Sequence, residues 1–390
     1  MEWALSPAKS FSCVRGSVDE QFFSQCAREY ALSLASMVME NYGPACAPEP
    51  ALLSTMLEHP LASGHVPLWC PELGHCLLAL RSHKLPAAQR GLTQLVVNLL
   101  CAGVPGTWEV ESAEPLRFRW DRFLLPKALH LRIDSDGKEA RVDIRGPESR
   151  QAVRFYAAGN GRRGWEGADA EALPYLELGH NRALLLSAVH HKGLDLPDPV
   201  FPGVDAVTEA HKRLLSDPLD LVREHFPSWS SWFDRVIRTI TITQSPPEGT
   251  HSGTVDGYYG YIWIGDSGDA LKVAESLIHE ASHQYYFLLS RLVPLTNDDG
   301  RRFYSPFVKR ERPPDKLLLA YHAFANVEIF YAECLRLGIE PAQCERALAQ
   351  LGGELGHVQR VLSDEIDMTP AGRSLFDALH ACRSSHGALN

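Results

Sequence analysis

Hydrophobic positions in the first hundred residues recur with the spacing of an α-helix. Phe22, Cys26 and Tyr30 are four residues apart, and a second run of this kind ends before Pro105. Side chains three and four residues apart share one face of a helix, so this spacing predicts helices that bury one face. We therefore expect residues from about 17 to 105 to be mainly helical.

The pattern then changes to a strict alternation of hydrophobic and polar residues. Leu129, Leu131 and Ile133 alternate with polar residues, and a similar alternation follows the dipeptide Asp136-Gly137. Glycine readily takes the positive φ angle that a tight turn needs. This pattern predicts a β-hairpin that turns at the dipeptide.

The second half of the chain combines short hydrophobic runs with long helical patterns. Residues 236–242 and 258–264 are rich in β-branched and aromatic side chains, which is typical of strands. A helical pattern follows from about 269 to 292, and Asp269 is placed to cap its first turn. A proline-rich connector at 197–202 is the best candidate for a domain boundary.

Charge narrows the range of partners. The chain has 390 residues and a formal net charge of −10, with 48 acidic and 38 basic residues. Lys and Arg form no dense stripe, which argues against nucleic acid and anionic membranes as partners. The short basic runs Arg301-Arg302 and Lys309-Arg310 fit a solvated loop.

Cysteine usage and hydropathy bear on the location of the protein. Nine cysteines are scattered without a CxxC pair, and the N-terminus lacks the basic-then-apolar pattern of a signal peptide. No window of about 18 apolar residues is present, so no transmembrane helix is expected. We expect free thiols and a cytoplasmic location.

One motif carries recognisable chemistry. His279, Glu280 and His283 form the pattern HExxH within the long helical segment. Side chains at i and i+4 share one face, about 6 Å apart along the axis, so the two imidazoles can bind one metal ion. Glu280 lies beside the open coordination positions and can act as a general base or orient a ligand.

A defined metal site requires a third protein ligand. The next helical segment offers His322 and Glu328, whereas Glu333 lies nearer its end. The two motif histidines with Glu328 would form a facial triad of the non-haem iron type. Three histidines would suit zinc or iron. Both ligand sets stay open at this point.

Arg312 is a further candidate, because it lies just before this second helical segment. A guanidinium can bind a carboxylate through two parallel hydrogen bonds. We therefore consider Arg312 a candidate for binding an acidic ligand, with a surface arginine as the alternative interpretation.

These patterns together predict an α+β fold. We expect a helical N-terminal region, a central antiparallel sheet and a C-terminal, mostly helical metal-binding domain with HExxH on a long helix. Residues 1–200 would form a helical and β-hairpin region of unknown role. Residues 201–390 would form the metal-binding catalytic domain.

Several features of the C-terminal part occur together. They are the strands 237–243 and 257–264 with a Pro/Gly/Ser loop at 246–254, the HExxH helix at 274–292, the segments 303–306 and 312–313, and the aromatic helix at 321–331. In this combination the segment from about 232 to 380 resembles the 2-oxoglutarate-dependent HExxH-type peptide β-hydroxylases, which accompany ribosomally made peptide natural products.

The resemblance implies Fe(II), 2-oxoglutarate and O2 as cofactors. It implies hydroxylation of a side-chain carbon, typically Cβ, in a ribosomally made precursor peptide. The iron would be held by His279 and His283 with His322 or Glu328, and Arg312 would bind the far carboxylate of 2-oxoglutarate.

Two other functions remain open from the sequence. In a zinc metallopeptidase, Glu280 would be the general base, and HExxH by itself favours this function. In a non-catalytic scaffold, a strand before the HExxH helix would bind an extended peptide through backbone hydrogen bonds.

Overall fold

Helices precede, follow and cover two five-stranded sheets in this protein. The computed structural model describes residues 5–16, 19–46, 53, 55–56, 58–59, 68–156, 164–167, 170–179, 181–245, 251–297 and 299–387. The helices are α1 (Leu5–Ser10), α2 (Glu20–Tyr42), α3 (Gly74–Ser82), α4 (Leu85–Cys101), α5 (Ala188–Gly193), α6 (Glu209–His225), α7 (Ser230–Val236), α8 (Ala270–Leu292), α9 (Pro314–Arg336), α10 (Pro341–Asp364) and α11 (Pro370–Gly387). The strands are β1 (Gly106–Leu116), β2 (Arg119–Trp120), β3 (Phe123–Leu124), β4 (Ala128–Ser135), β5 (Glu139–Arg145), β6 (Arg150–Tyr156), β7 (Gly164–Gly167), β8 (Glu171–Ala172), β9 (Tyr175–Glu177), β10 (Arg182–Leu186), β11 (Thr239–Gln244), β12 (Ser252–Thr254), β13 (Tyr261–Asp266), β14 (Phe303–Ser305) and β15 (Arg310–Arg312).

The first five-stranded sheet is antiparallel and has the order β1-β4-β5-β6-β7. Its β4–β5 hairpin turns at Gly137, which has a φ of 87°. The Asp136 carboxylate accepts hydrogen bonds from the backbone N–H groups of Lys138 and Glu139, both at 2.8 Å. The hairpin predicted at Asp136-Gly137 is therefore confirmed, and so are helices within the predicted N-terminal helical region.

The second sheet has the order β12-β13-β11-β10-β9, and its three central strands are parallel. Ile240 of β11 and Ile262 of β13 face the main core, whereas Tyr261 and Trp263 lie in a smaller apolar cluster on the other face. Parallel strands are stable when both faces are covered, and both faces of these strands are buried, with Thr239, Thr241 and Thr243 on the second face of β11. The α+β class is confirmed, but the sequence did not indicate the parallel centre of this sheet.

The second sheet draws its strands from both sides of the predicted boundary at residue 200. Strands β9 and β10 come from the N-terminal side, and β10 pairs with β11 from the C-terminal side. The division into 1–200 and 201–390 stays a prediction. Residues 246–250, which include most of the predicted Pro/Gly/Ser loop, and parts of the predicted helical segment 17–105 lie outside the described residues.

Helix α8 lies at the centre of the C-terminal half. The Asp269 carboxylate accepts from the backbone N–H groups of Leu271 and Lys272 at 3.0 and 3.1 Å, which confirms the predicted cap. The helix contacts α2, α6, α7 and α9 and the strands β12 and β13. Because it is surrounded in this way, side chains that lie on most of its faces are buried.

A buried ion pair joins the N-terminal helices to the small sheet that contains β2. Glu72, which precedes α3, accepts two hydrogen bonds from the guanidinium of Arg119, one of them at 3.1 Å. The side chains are 3% and 11% exposed, respectively. Gln94 of α4 bonds both backbone polar groups of Arg119, at 2.8 and 3.0 Å. The pair therefore lies in a hydrogen-bonded and nearly dry environment.

All nine cysteines, which lie within the described residues, are thiols that form no disulfide bond, as predicted. Across the described ranges, no helix combines the length and the apolar character that crossing a membrane requires.

Candidate metal centre

The two motif histidines lie one turn apart on the same side of α8. The ring centroids of His279 and His283 are 4.5 Å apart, and their planes are nearly perpendicular at 86°. His279 also packs edge-on against Phe324 of α9, at a centroid distance of 4.6 Å. His283 stacks on Phe287 at 5.9 Å. The aromatic neighbours fix the ring positions, and the two imidazoles stay adjacent.

The environment keeps both imidazoles neutral. Burial lowers the pKa of His279 to about 4, while the negative charge of Glu275 opposes this shift. Burial also lowers the pKa of His283 well below its ordinary value, and the charges of His279, His322, Lys316 and Arg312 lower it further. Neutral imidazole is the form that binds a metal ion. Both side chains are therefore in the metal-binding form at neutral pH.

Glu280 is anchored by the strand at the edge of the second sheet. Its side chain is buried, and its Oε1 accepts a hydrogen bond of 2.8 Å from the Ser252 hydroxyl on β12. Burial raises the pKa of Glu280 to about 8, and the Ser252 hydrogen bond opposes the shift. Oε2 has no hydrogen-bond partner among the described residues. A buried oxygen in this state favours a proton, water or ligand beside it.

Gln284, the residue after the motif, fixes α8 against the edge of this sheet. Its Oε1 accepts from the backbone N–H of Gly260 at 2.8 Å. Its Nε2 donates to the carbonyl of Tyr261 at 3.2 Å and to the Thr254 hydroxyl of β12. The side chain is fully buried, so these bonds replace all of its hydration. Strand β12, and with it Ser252, is thereby held beside the motif.

Replacing Gln284 by leucine is expected to destabilise the protein by about 1–3 kcal/mol, because the buried backbone N–H of Gly260 would lose its hydrogen-bond partner. Urea unfolding followed by circular dichroism measures this change. Gln343→Leu is the matched control, because Gln343 is half-buried and its amide reaches only Asp269. Equal effects of the two substitutions would contradict this role of Gln284.

The predicted third ligands have hydrogen-bond or ion-pair partners of their own, although the charge of His322 acts on His283. Nε2 of His322 donates to the Phe11 carbonyl at 2.7 Å, so this fully buried ring is bound to the N-terminal segment. Glu328 accepts from Arg383 of α11, and Glu333 forms ion pairs with Arg15 and Arg336. Within the described ranges, no group of three or more His, Cys, Asp or Glu side chains can hold a metal ion. The choice between His322 and Glu328 stays a prediction.

Asn326 strengthens the contact between α9 and the N-terminal segment. Its Oδ1 accepts from the backbone N–H of Val14 at 2.7 Å, and its Nδ2 donates to the Ser12 carbonyl at 3.0 Å. Together with the His322 bond to Phe11, these contacts hold residues 11–14 along α9. This face of α9 therefore has a clear structural role.

Arg312 lies at the end of β15, opposite Phe303 of β14. Its positive charge is the last of the causes that lower the pKa of His283, after burial and the charges of His279, His322 and Lys316. It forms no hydrogen bond or ion pair with any residue that the structure describes, whereas nearby Lys316 pairs with Asp315 at 3.2 Å. The charge of Asp315 acts on Arg312, but a half-buried guanidinium without a hydrogen-bonded carboxylate is available to bind an anion.

Sequence reasoning did not identify several residues around the pair. Ser252 could not be found, because its contact with Glu280 depends on the folding of β12. Glu275 could have been found from the sequence, because it precedes His279 by four residues. In the structure its carboxylate accepts hydrogen bonds from Lys272 and Tyr331. Glu275 and His283 are two helical turns apart, about 12 Å along the axis, so they cannot both reach one ion. Glu275 therefore acts on His279 through its charge.

The residues around His279 and His283 supply part of the ligand set that a metal ion needs. Two adjacent neutral imidazoles and a buried carboxylate oxygen without a partner are typical of a HExxH site. His283 also has a buried Nδ1 without a hydrogen-bond partner in the described part of the chain. A comparison with protein-family models and with curated protein sequences found no match for this chain.

Proposed function

We propose that this protein is an Fe(II)- and 2-oxoglutarate-dependent hydroxylase that acts on a side-chain Cβ of a ribosomally made precursor peptide. The observation that carries the proposal is the adjacent pair of neutral imidazoles, His279 and His283, whose ring centroids are 4.5 Å apart, with the Arg312 charge acting on His283. A metal-binding pair with a cation in electrostatic range of His283 suits a ligand with both a chelating group and a distant carboxylate. The resemblance in sequence points to 2-oxoglutarate as that ligand.

Each residue has a distinct part in this proposal. His279 and His283 would hold the iron, with His322 or Glu328 as the predicted third ligand. Arg312 would bind the far carboxylate of 2-oxoglutarate and so set the orientation of the cosubstrate. When bound, iron with 2-oxoglutarate and O2 supplies the oxidising chemistry, and the protein positions the target carbon.

Aromatic side chains would limit the access of water to this site. Phe307 stacks on Phe324 at a centroid distance of 4.0 Å, and Phe324 in turn packs against His279. Excluding water protects a reactive site from side reactions and strengthens its electrostatic interactions. This aromatic layer would also restrict the side from which the peptide approaches.

The peptide would bind along the edge of the second sheet. Strand β12 pairs with β13 on one side and is the last strand of this sheet. An extended peptide can add to a free edge through main-chain hydrogen bonds. Ser252 lies on this strand and bonds Glu280, so a peptide on β12 would pass beside the metal ligands. A cytoplasmic location without nucleic acid or membrane partners completes the proposal.

Protein reconstituted anaerobically with Fe(II) tests this function. We expect succinate formation that depends on iron, 2-oxoglutarate and the precursor peptide encoded beside the gene. Mass spectrometry should show one added oxygen on the peptide. Bound iron without succinate or modified peptide would contradict the proposal.

Replacing Arg312 by alanine is expected to raise the KM for 2-oxoglutarate by about 10–100-fold, because a hydrogen bond to a charged group contributes about 1.5–3 kcal/mol. Initial rates of succinate formation at varied 2-oxoglutarate measure the effect. The control is Arg346→Ala, since Arg346 is an exposed arginine on α10. A KM that changes equally in both variants would remove Arg312 from the cosubstrate site.

A zinc metallopeptidase is the second candidate, and the free Oε2 of Glu280 favours it. In that enzyme Glu280 would be the general base that removes a proton from the attacking water. Zinc in the purified protein, peptide cleavage and no consumption of 2-oxoglutarate would support this function. A non-catalytic scaffold would instead keep its biological activity after His279→Ala and Glu280→Gln.

A further inference from the structure

The β14–β15 hairpin and its turn carry exposed cations that nothing in the candidate metal centre uses. We call residues 302–312 the basic hairpin. Arg302, Lys309 and Arg310 are exposed, and none of the three forms an ion pair with a residue in the described ranges. The chain as a whole has ten more acidic than basic residues, so this local excess of positive charge contrasts with the rest of the protein.

The register of the hairpin separates its cations from its own carboxylate. Ser305 pairs with Arg310 and Phe303 with Arg312, whereas Tyr304 pairs with Glu311. Directly opposed residues share a face of a two-stranded sheet, so both arginines lie on one face and the glutamate lies on the other. The Glu311 carboxylate is therefore badly placed to neutralise the arginines.

The two arginines repel one another on that shared face. Burial lowers the pKa of Arg312, and the positive charge of Arg310 lowers it further. The Ser305 hydroxyl on the same face is buried and has no hydrogen-bond partner among the described residues. The Asp315 charge opposes this effect on Arg312, whereas Arg310 is exposed and forms no ion pair in the described ranges, so Arg310 favours the approach of an anionic group.

The turn of the basic hairpin lies close to the candidate metal centre. Phe307 in this turn stacks on Phe324, which contacts His279. Val308 in the turn is 40% exposed, so the turn also offers apolar surface next to Lys309. A chain bound to the hairpin would therefore continue toward the metal ligands.

We propose that the basic hairpin docks an acidic segment of the peptide substrate through Arg302, Lys309 and Arg310. The inference rests on the proposed function only in taking the bound chain to be the substrate of the nearby site. A peptide fits better than nucleic acid or an anionic membrane, because those partners need an extended basic surface and this protein has a net charge of −10. A short acidic segment can contact the hairpin alone.

Fluorescence anisotropy with a fluorescein-labelled oligoglutamate peptide tests the docking. The full-length protein should bind the peptide at low salt, and binding should weaken as salt rises. The triple variant Arg302→Glu, Lys309→Glu and Arg310→Glu should raise the Kd by at least about tenfold, because attraction becomes repulsion. The matched control reverses the exposed residues Arg150, Arg213 and Arg346, which changes the net charge equally and should alter the Kd by less than about twofold.

Equal weakening in the two triple variants would overturn the inference, because it would show a general effect of charge. Unchanged binding of the oligoglutamate peptide by the hairpin triple variant would also overturn it. If a single-stranded oligonucleotide binds the hairpin as tightly as the acidic peptide, the proposed partner, an acidic peptide, is wrong. Circular dichroism confirms that each variant is folded, and the single substitutions Lys309→Gln and Arg310→Gln provide a milder series.

The docking and the proposed function fail in different ways. Anisotropy needs no metal and no turnover, so the His279→Ala variant should bind the acidic peptide as tightly as the wild type. Absence of iron-dependent succinate formation in the wild type, with hairpin-dependent binding intact, would remove the hydroxylase and leave the docking surface. Iron-dependent turnover without hairpin-dependent binding would support the hydroxylase and remove the docking surface.

Discussion

Replacing His283 by alanine is expected to lower the affinity for the metal by at least about 100-fold, and metal-dependent activity with it. Substitutions of residues that only support a ligand already cost about 10–100-fold in affinity, so removal of a ligand exceeds that range. The ring of His283 lies 4.5 Å from that of His279, so its loss leaves one imidazole at the site. Metal content after dialysis, followed by succinate formation or peptide cleavage, measures the result.

The same substitution should leave the fold intact. His283 has a buried Nδ1 without a partner, and alanine removes that unsatisfied group. We expect the free energy of unfolding to stay within about 1 kcal/mol of the wild type. The control is His225→Ala, because His225 is an exposed histidine on α6. Full metal content in His283→Ala, or its loss in both variants, would contradict the assignment of the pair.

Replacing Glu72 by glutamine is expected to destabilise the protein by about 3–5 kcal/mol, because it leaves the buried charge of Arg119 uncompensated. This is a large part of the roughly 5–15 kcal/mol that holds an ordinary domain folded. Both side chains are nearly inaccessible to water, so solvent cannot replace the lost carboxylate. Urea or thermal unfolding of the variant measures the change.

A double variant separates charge from packing at this pair. Glu72→Leu with Arg119→Met removes both charges together and should recover much of the loss, since apolar replacement of a buried ion pair is often neutral. A cost below about 1 kcal/mol for Glu72→Gln alone would show that Arg119 finds another partner. The conclusion that this pair stabilises the N-terminal half would then be wrong.

The ion pair also gives wild-type stability a defined dependence on pH. Burial alone would raise the pKa of Glu72, but the charge and hydrogen bonds of Arg119 outweigh it and hold the pKa below the ordinary value of 4.5. A carboxyl with a depressed folded-state pKa stabilises fully above its unfolded pKa. This contribution should be lost as pH falls below about 4.5 and through the lower folded-state value. It should be absent in Glu72→Gln.

Local patterns in the sequence predicted much of the structure around the candidate site. The Asp269 cap and the hairpin at Gly137 depend on neighbouring residues alone, and both are confirmed. The HExxH spacing also placed His279 and His283 side by side, because that geometry belongs to any α-helix.

Contacts between distant segments could not be predicted in this way. The parallel pairing of β10 with β11 and the bond from Ser252 to Glu280 join segments far apart in the chain. Helical periodicity places His322 within an apolar segment but does not say which neighbour its ring meets. The ring binds the Phe11 carbonyl, from a part of the sequence that shows no functional signal.

The segment of residues 11–14, which is hydrogen-bonded along α9, affects the order of folding. The bond between His322 and Phe11 joins residues 311 positions apart, and that between Asn326 and Ser12 joins residues 314 positions apart. During synthesis the early segment must wait until the ribosome has made most of the chain, because its partners do not yet exist. Such long-range closure slows folding and leaves apolar surface exposed in the meantime. A C-terminal fragment made alone would lack residues 11–14, so the imidazole of His322 and the amide of Asn326 on its α9 would lose these partners and contact solvent.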